Sequence, residues 1–167
     1  MNYKFIKSSE KRKILAGLEE QYGITDLPYL LIETGKKRLR AFSGSLSKEE
    51  ISDLAQLTNI ELIGMYLISR KDNDLRLNFD AISLLRNQIT KNIVGINKDQ
   101  FELWIRGHDL EIETQRGIVI ISFENELVGI GKSNAEKIFN YLPKERRIKT
   151  ALPADSQFRT NKTHEDL

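Results

Sequence analysis

Apolar and polar positions alternate with two different periods along this chain, and the change of period marks its elements. Residues 9–21 carry Ile14, Leu15 and Leu18 on one face with Gly23 just beyond, which predicts an amphipathic helix closed by a glycine cap. Tyr29, Leu30, Leu31 and Ile32 form a short apolar strand, Gly35 sits in a turn, and residues 39–42 return as the second arm of a hairpin. Ser47 with Glu50 three residues later has the spacing of a capping box and opens a second helix through Ile51, Leu54, Ala55 and Leu57. Residues 60–69 are expected to be a strand, and 71–74 a polar turn. Leu75 to Asn78 alternate as the next hairpin arm, and Phe79, Ile82 and Leu85 return to helical spacing.

After Val94, Gly95, Ile96 and Asn97 the texture changes to strands and turns. Residues 101–105, 110–112, 117–123, 127–132 and 137–141 are the expected strands, and 117–123 is a continuous apolar run rich in β-branched residues. The fold class is therefore α+β. A mixed domain of helices and hairpins over 1–94 precedes a small β domain over 95–150, and 151–167 form a flexible tail with little to bury.

Composition narrows the chemistry. In 167 residues, 40% are apolar and 30% charged, as in a globular protein, and the absence of cysteine excludes disulfides, thiolate metal sites and a cysteine nucleophile. No apolar run is long enough to span a bilayer and the N-terminus lacks a signal core, so a cytoplasmic protein with no membrane contact is expected. His108 and His164 are far apart in sequence, which gives no support to a histidine metal site or triad, and the glycine-rich loop of a cofactor-binding methyltransferase is missing. No catalytic residue, metal ligand or cofactor is assigned.

A net charge of +2 says little, but its distribution is uneven. Between Gly129 and Lys149 six cations, Lys132, Lys137, Lys144, Arg146, Arg147 and Lys149, face only Glu136 and Glu145. A second knot comprises Lys36, Lys37, Arg38 and Arg40. Within 127–132, Gly129 and Gly131 share one side of the strand, a pattern found where another backbone, of protein or RNA, approaches closely and also at a bend in a barrel. Trp104 and Arg106 share a face if their stretch is extended, and a core tryptophan is the alternative. Lysines and arginines beside such a strand can neutralise phosphates or stack on unpaired bases.

The run from Leu127 through Gly129, Ile130 and Gly131 to Lys132, followed by Asn140, Tyr141, Leu142, Pro143, Lys144, Glu145, Arg146 and Arg147, resembles a PUA-type RNA-binding domain. The likeness is greatest to the domain appended to Sun/Nol-type RNA cytosine methyltransferases, and the element order is similar to pre-PUA/PUA ribosome-biogenesis factors. The resemblance implies a PUA-like β-barrel and an RNA surface near Gly129, Gly131, Lys132, Asn140, Lys144, Arg146 and Arg147, with Arg106 and Gly107 in the place of the family's first glycine loop. It implies a non-catalytic accessory role on rRNA or tRNA in ribosome biogenesis or RNA modification. The alternative is a module that docks a protein partner, an RNA methyltransferase or a ribosome-assembly factor, without binding RNA.

Overall fold

The computed structural model describes residues 3–35, 37–71 and 74–149. Its elements, in chain order, are β1 (Tyr3–Phe5), α1 (Ser8–Tyr22), β2 (Leu30–Thr34), β3 (Arg38–Phe42), α2 (Lys48–Leu57), β4 (Met65–Lys71), β5 (Asp74–Leu77), α3 (Phe79–Leu85), β6 (Ile93–Gly95), α4 (Lys98–Ile105), β7 (Gly117–Phe123), β8 (Glu126–Ser133) and β9 (Ile138–Asn140). The class is α+β with two sheets. The first is antiparallel in the order β1-β2-β3-β4-β5, and the second has the order β6-β7-β8-β9, in which β6 runs parallel to β7. Among the described residues the second sheet is a four-stranded ladder, and a closed barrel is not shown.

Local signals in the first half are realised closely. Gly23 caps α1 in the left-handed conformation, and its N–H and that of Ile24 reach back to the carbonyls of Glu19 and Leu18. Ser47 and Glu50 form the reciprocal capping box that starts α2. The strand expected over 60–69 begins only at Met65. Gly64 breaks the run with a positive φ, and Ile63 turns inward onto Ile32 and Ile51 beneath α2.

Residues 101–105 are helical, a correction to the strand expected there. Phe101, Trp104 and Ile105 are spaced by three and four, which is the helical period, and an Asn97–Gln100 capping box fixes the start. Residues 110–112 likewise form no strand and contribute a single bridge, Leu110 to Ile138. The strand β6 was not expected, and it closes a parallel crossover to β7 through α4.

Two cores meet at β7. Ile118 and Ile120, with Ile130 of β8, join the cluster built by α1, α3 and the first sheet, around Leu18, Leu31, Leu67, Leu77 and Ile82. Val119 and Ile121 face the other way and pack with Trp104, Leu110 and Ile138. The connection into β6 is stitched to the end of α1. Thr90 and Lys91 donate their N–H groups to the Tyr22 carbonyl, Asn92 donates its side-chain amide to that of Gln21, and Gln88 brackets Thr25 and Asp26.

On the α1 side of the first sheet Arg70 bridges Glu10 at 2.7 Å and Glu33 at 2.8 Å. The hydrogen bond from Arg70 holds the Glu10 carboxyl below its ordinary pKa, with Lys4 adding to the effect. A depressed carboxylate contributes stability that is present above its unfolded pKa and is lost as pH falls through the folded value. Urea unfolding followed from pH 6 to pH 3 should therefore show stability declining below about pH 4.5. The slope should be shallower in Arg70→Gln than in the wild type.

Candidate nucleic-acid interface

The two glycines of β8 face the indole of Trp104. A side chain at Gly129 would place its Cβ 2.8 Å from Trp104 Nε1, and one at Gly131 would meet Ile138 Cγ2 at 2.6 Å and the Phe139 carbonyl at 2.7 Å. Trp104 is fully buried, and its Nε1–H donates to the Val128 carbonyl at 3.1 Å. The close approach that these glycines permit is thus that of the α4 tryptophan, and both are buried on the inner face. Because α4 is helical, Trp104 and Arg106 do not share a face. Trp104 is core, and Arg106 lies exposed at the C-terminal end of the helix, 3.8 Å from Glu102.

Asn140 is equally committed. Its Nδ2 donates to the carbonyls of Trp104 at 2.8 Å and His108 at 2.9 Å, and its Oδ1 accepts from Leu142 N at 2.8 Å. Those carbonyls lie at and just past the end of α4, where the Trp104 carbonyl also accepts from the Gly107 N–H at 2.9 Å. The backbone N–H of Asn140 donates to Asp109, whose other oxygen pairs with Lys137. The hydrogen bond that Lys137 donates to Asp109, with the charge of Glu111, raises the Lys137 pKa.

The segment after β9 folds back onto the end of α4 in a single 3-10 turn over Lys144–Arg146. Ile148 donates to the Ile105 carbonyl, and Arg147 donates from Nε to the Leu142 carbonyl while its side chain lies over Gly107. A Cβ at Gly107 would come within 2.5 Å of Arg147 Cδ, and its φ of +91° favours glycine besides. Arg146 is held by Asp80 at 2.8 Å and sits over the Phe79 ring. Lys144 and Lys149 are exposed, with no carboxylate within ion-pair distance among the described residues. The fold therefore gathers Arg106, Gly107, Lys144, Arg147 and Lys149 at one end of α4. Lys132 reaches β5 instead and pairs with Asp74 at 3.1 Å.

Of the second basic knot, Lys36 lies outside the described residues, as does the expected tail 151–167. Lys37 is exposed in the β2–β3 turn, and Arg38 lies 5.4 Å from the centre of the Tyr66 ring. Arg40 donates to the carbonyls of Ile63 and Gly64, and its burial, then the charge of Arg38, lower its pKa. One pair escaped the reading of the sequence, Arg76 over Tyr141 at 5.0 Å. It joins β5 to the chain after β9, and nothing in the local pattern signals a partner so distant.

Residues 91–148 match the family model of the methyltransferase RsmF PUA domain. That segment contains β6 to β9, α4 and the basic turn, and it fits a PUA-like domain resembling the C-terminal domains of Sun/Nol-type methyltransferases. The chain is also similar to the ribosomal RNA small subunit methyltransferase F of Vibrio vulnificus, strains YJ016 and CMCP6. Each is 29% identical over 84 residues, which is 50% of this chain and 18% of the relative. The chain thus spans about a fifth of the length of these relatives. No helix among the described residues is long and apolar enough to cross a membrane.

Replacing Asn140 with Ala removes one donor from each of the Trp104 and His108 carbonyls, of which Trp104 keeps the Gly107 N–H, and leaves the N–H of buried Leu142 without its acceptor, a loss of about 1–3 kcal/mol. Asn140→Ala should lower unfolding stability by that order in chemical denaturation. An unchanged midpoint would return Asn140 to the set of surface contacts.

Proposed function

We propose that this chain is a non-catalytic RNA-binding protein whose PUA-like segment engages structured rRNA or tRNA, in ribosome biogenesis or RNA modification. The observation that carries the reading is the family match over 91–148 together with the exposed cations that the same segment presents at the end of α4. In this reading Lys144, Lys149, Arg106 and Arg147 meet phosphates, and Gly107 admits Arg147 to the surface. Gly129, Gly131 and Asn140 act from within by seating Trp104 and the end of α4. Lys132 and Arg146, each already paired to a carboxylate, contribute less. The unit assigned to 1–94 serves as a platform for the PUA-like unit, whose barrel is the finer expectation from the family.

Phosphate binding releases counterions, so affinity should fall steeply with salt. Binding of structured tRNA and small-subunit rRNA fragments, followed by filter retention at 50 and 200 mM salt, should show that fall. Lys144→Gln/Lys149→Gln should bind several-fold more weakly with a shallower salt dependence, at unchanged stability. Binding that ignores both salt and the substitutions would overturn the reading.

A second reading has its own observation. Leu57 is 84% exposed and Leu62 69%, and Leu54 shares with Leu57 one outer side of α2. Such a patch favours a protein-docking role, with an RNA methyltransferase or an assembly factor as partner. RNA binding that survives Leu57→Glu/Leu62→Glu, with loss of a purified partner's binding, would assign the patch to that role.

A further inference from the structure

The first sheet has one face covered by α1 and α3, while α2 covers part of the other around Ile32, Ile51 and Ile63, with Tyr3, Phe5 and Phe42 packed against that cluster. Register defines what the rest of that second face carries. Tyr3 pairs with Thr34, Thr34 with Arg38, Arg38 with Ser69 and Ser69 with Arg76, so these five residues form one row across all five strands. The neighbouring row holds Phe5, Ile32, Arg40 and Tyr66. Neither row contains a carboxylate. Glu33 and Arg70 lie on the opposite face, and Asp74, two residues before Arg76, is paired with Lys132.

The row is cationic and aromatic by construction. Arg38 lies over Tyr66 and Arg76 over Tyr141, while Tyr3 meets Phe5 edge to face at 5.5 Å. Arg38 is exposed and Tyr3, Tyr66, Arg76 and Tyr141 are half-buried, so each keeps part of its surface at solvent, while Tyr3 also packs against the cluster beneath α2 and Tyr141 against the main core. Among the described residues neither Arg38 nor Arg76 has a carboxylate within ion-pair distance. Arg38 and Arg40 stand two apart on one side of β3, an arrangement that costs free energy in the absence of an anion. Through Tyr141 the row runs directly into the segment that carries the basic turn.

We propose that this open face is a second RNA-binding surface, which takes single-stranded RNA along the row from Arg76 through Ser69 and Arg38 to Tyr3. Arginines contact the phosphates and Tyr66 and Tyr3 stack on unpaired bases, a combination that accepts single strands without reading their sequence. With strands about 4.8 Å apart the row covers roughly 19 Å, enough for a short run of nucleotides leaving a structured site on the PUA-like segment. The inference rests on the RNA-binding reading above and extends it to the first sheet, which lies before the residues that the family model matches.

The test is fluorescence anisotropy of a labelled oligouridine dodecamer across a salt series, with the full chain. Arg38→Gln/Arg76→Gln should weaken binding at least about fivefold and lower the slope of log affinity against log salt by about 1.4, since each single-strand phosphate contact contributes about 0.7. Tyr66→Leu should weaken binding at least about fivefold through lost stacking and leave the salt slope unchanged. In the unmutated protein, 4-thiouridine placed in the dodecamer should cross-link to peptides of β1 or β4, a readout independent of how any variant folds. Wild-type affinity in both sheet variants, or cross-links confined to residues 98–149, would overturn the proposal and leave the PUA-like site standing. Failure of the wild type to bind either the dodecamer or a structured fragment would remove both.

Discussion

The strand from Gly117 to Phe123 has to hide both of its faces, and most of the architecture follows from how it does so. A strand in a two-layer fold alternates inward and outward, but Ile118, Val119, Ile120 and Ile121 are all buried. One face needs α1, α3 and the first sheet, and the other needs α4. The second sheet is therefore a middle layer shared by two cores. Taking β7 and β8 away from α1, α3 and the first sheet would expose Ile118, Ile120 and Ile130 together.

That arrangement explains why the conspicuous residues of the PUA-like segment serve the interior. Glycine at 129 and 131 allows the largest side chain of the chain to lie flat on β8, and Asn140 then closes the end of the helix that carries it. What reaches solvent is the set of long cations arranged around this framework. The string from Leu127 to Arg147 thus mixes buried scaffold residues with exposed cations, and only the burial of each residue separates them. The first sheet divides its labour by face in the same way. Acidic and basic groups neutralise each other around Arg70, while on the opposite face no carboxylate of the described residues lies within ion-pair distance of Arg38 or Arg76.

How much could be read from the sequence depended on the range of the interaction. The capping box at Ser47, the glycine cap at Gly23 and the hairpins of β2–β3, β4–β5 and β7–β8 are set by residues a few positions apart, and all were legible. The helix α4 was equally local, but an apolar stretch inside a region of strands invited a period of two. The spacing of Phe101, Trp104 and Ile105, with Asn97 and Gln100 before it, carried the correct answer. The partners of Arg146, Asn140 and Arg76 come from residues 31 to 66 positions away, or from another sheet, and no local pattern announces them. The row across the first sheet was legible only as a knot of charge, because its membership depends on the register shift between Leu39 and Arg40.

The doubly buried strand also sets an order of events during folding. Its hairpin with β8 closes through two left-handed residues, Glu124 and Asn125, and needs nothing from elsewhere in the chain. The parallel partner β6 returns only across the whole of α4 and the loop behind it, a non-local closure that is intrinsically slower. In the interval, an uncharged, proline-free and β-branched heptapeptide is open on both sides, the composition from which cross-β assemblies grow. Docking of α4, with its single tryptophan settling over the two glycines of the neighbouring strand, covers one of those faces and the first sheet with α1 and α3 covers the other, so the completed core leaves this segment no face to offer a second chain.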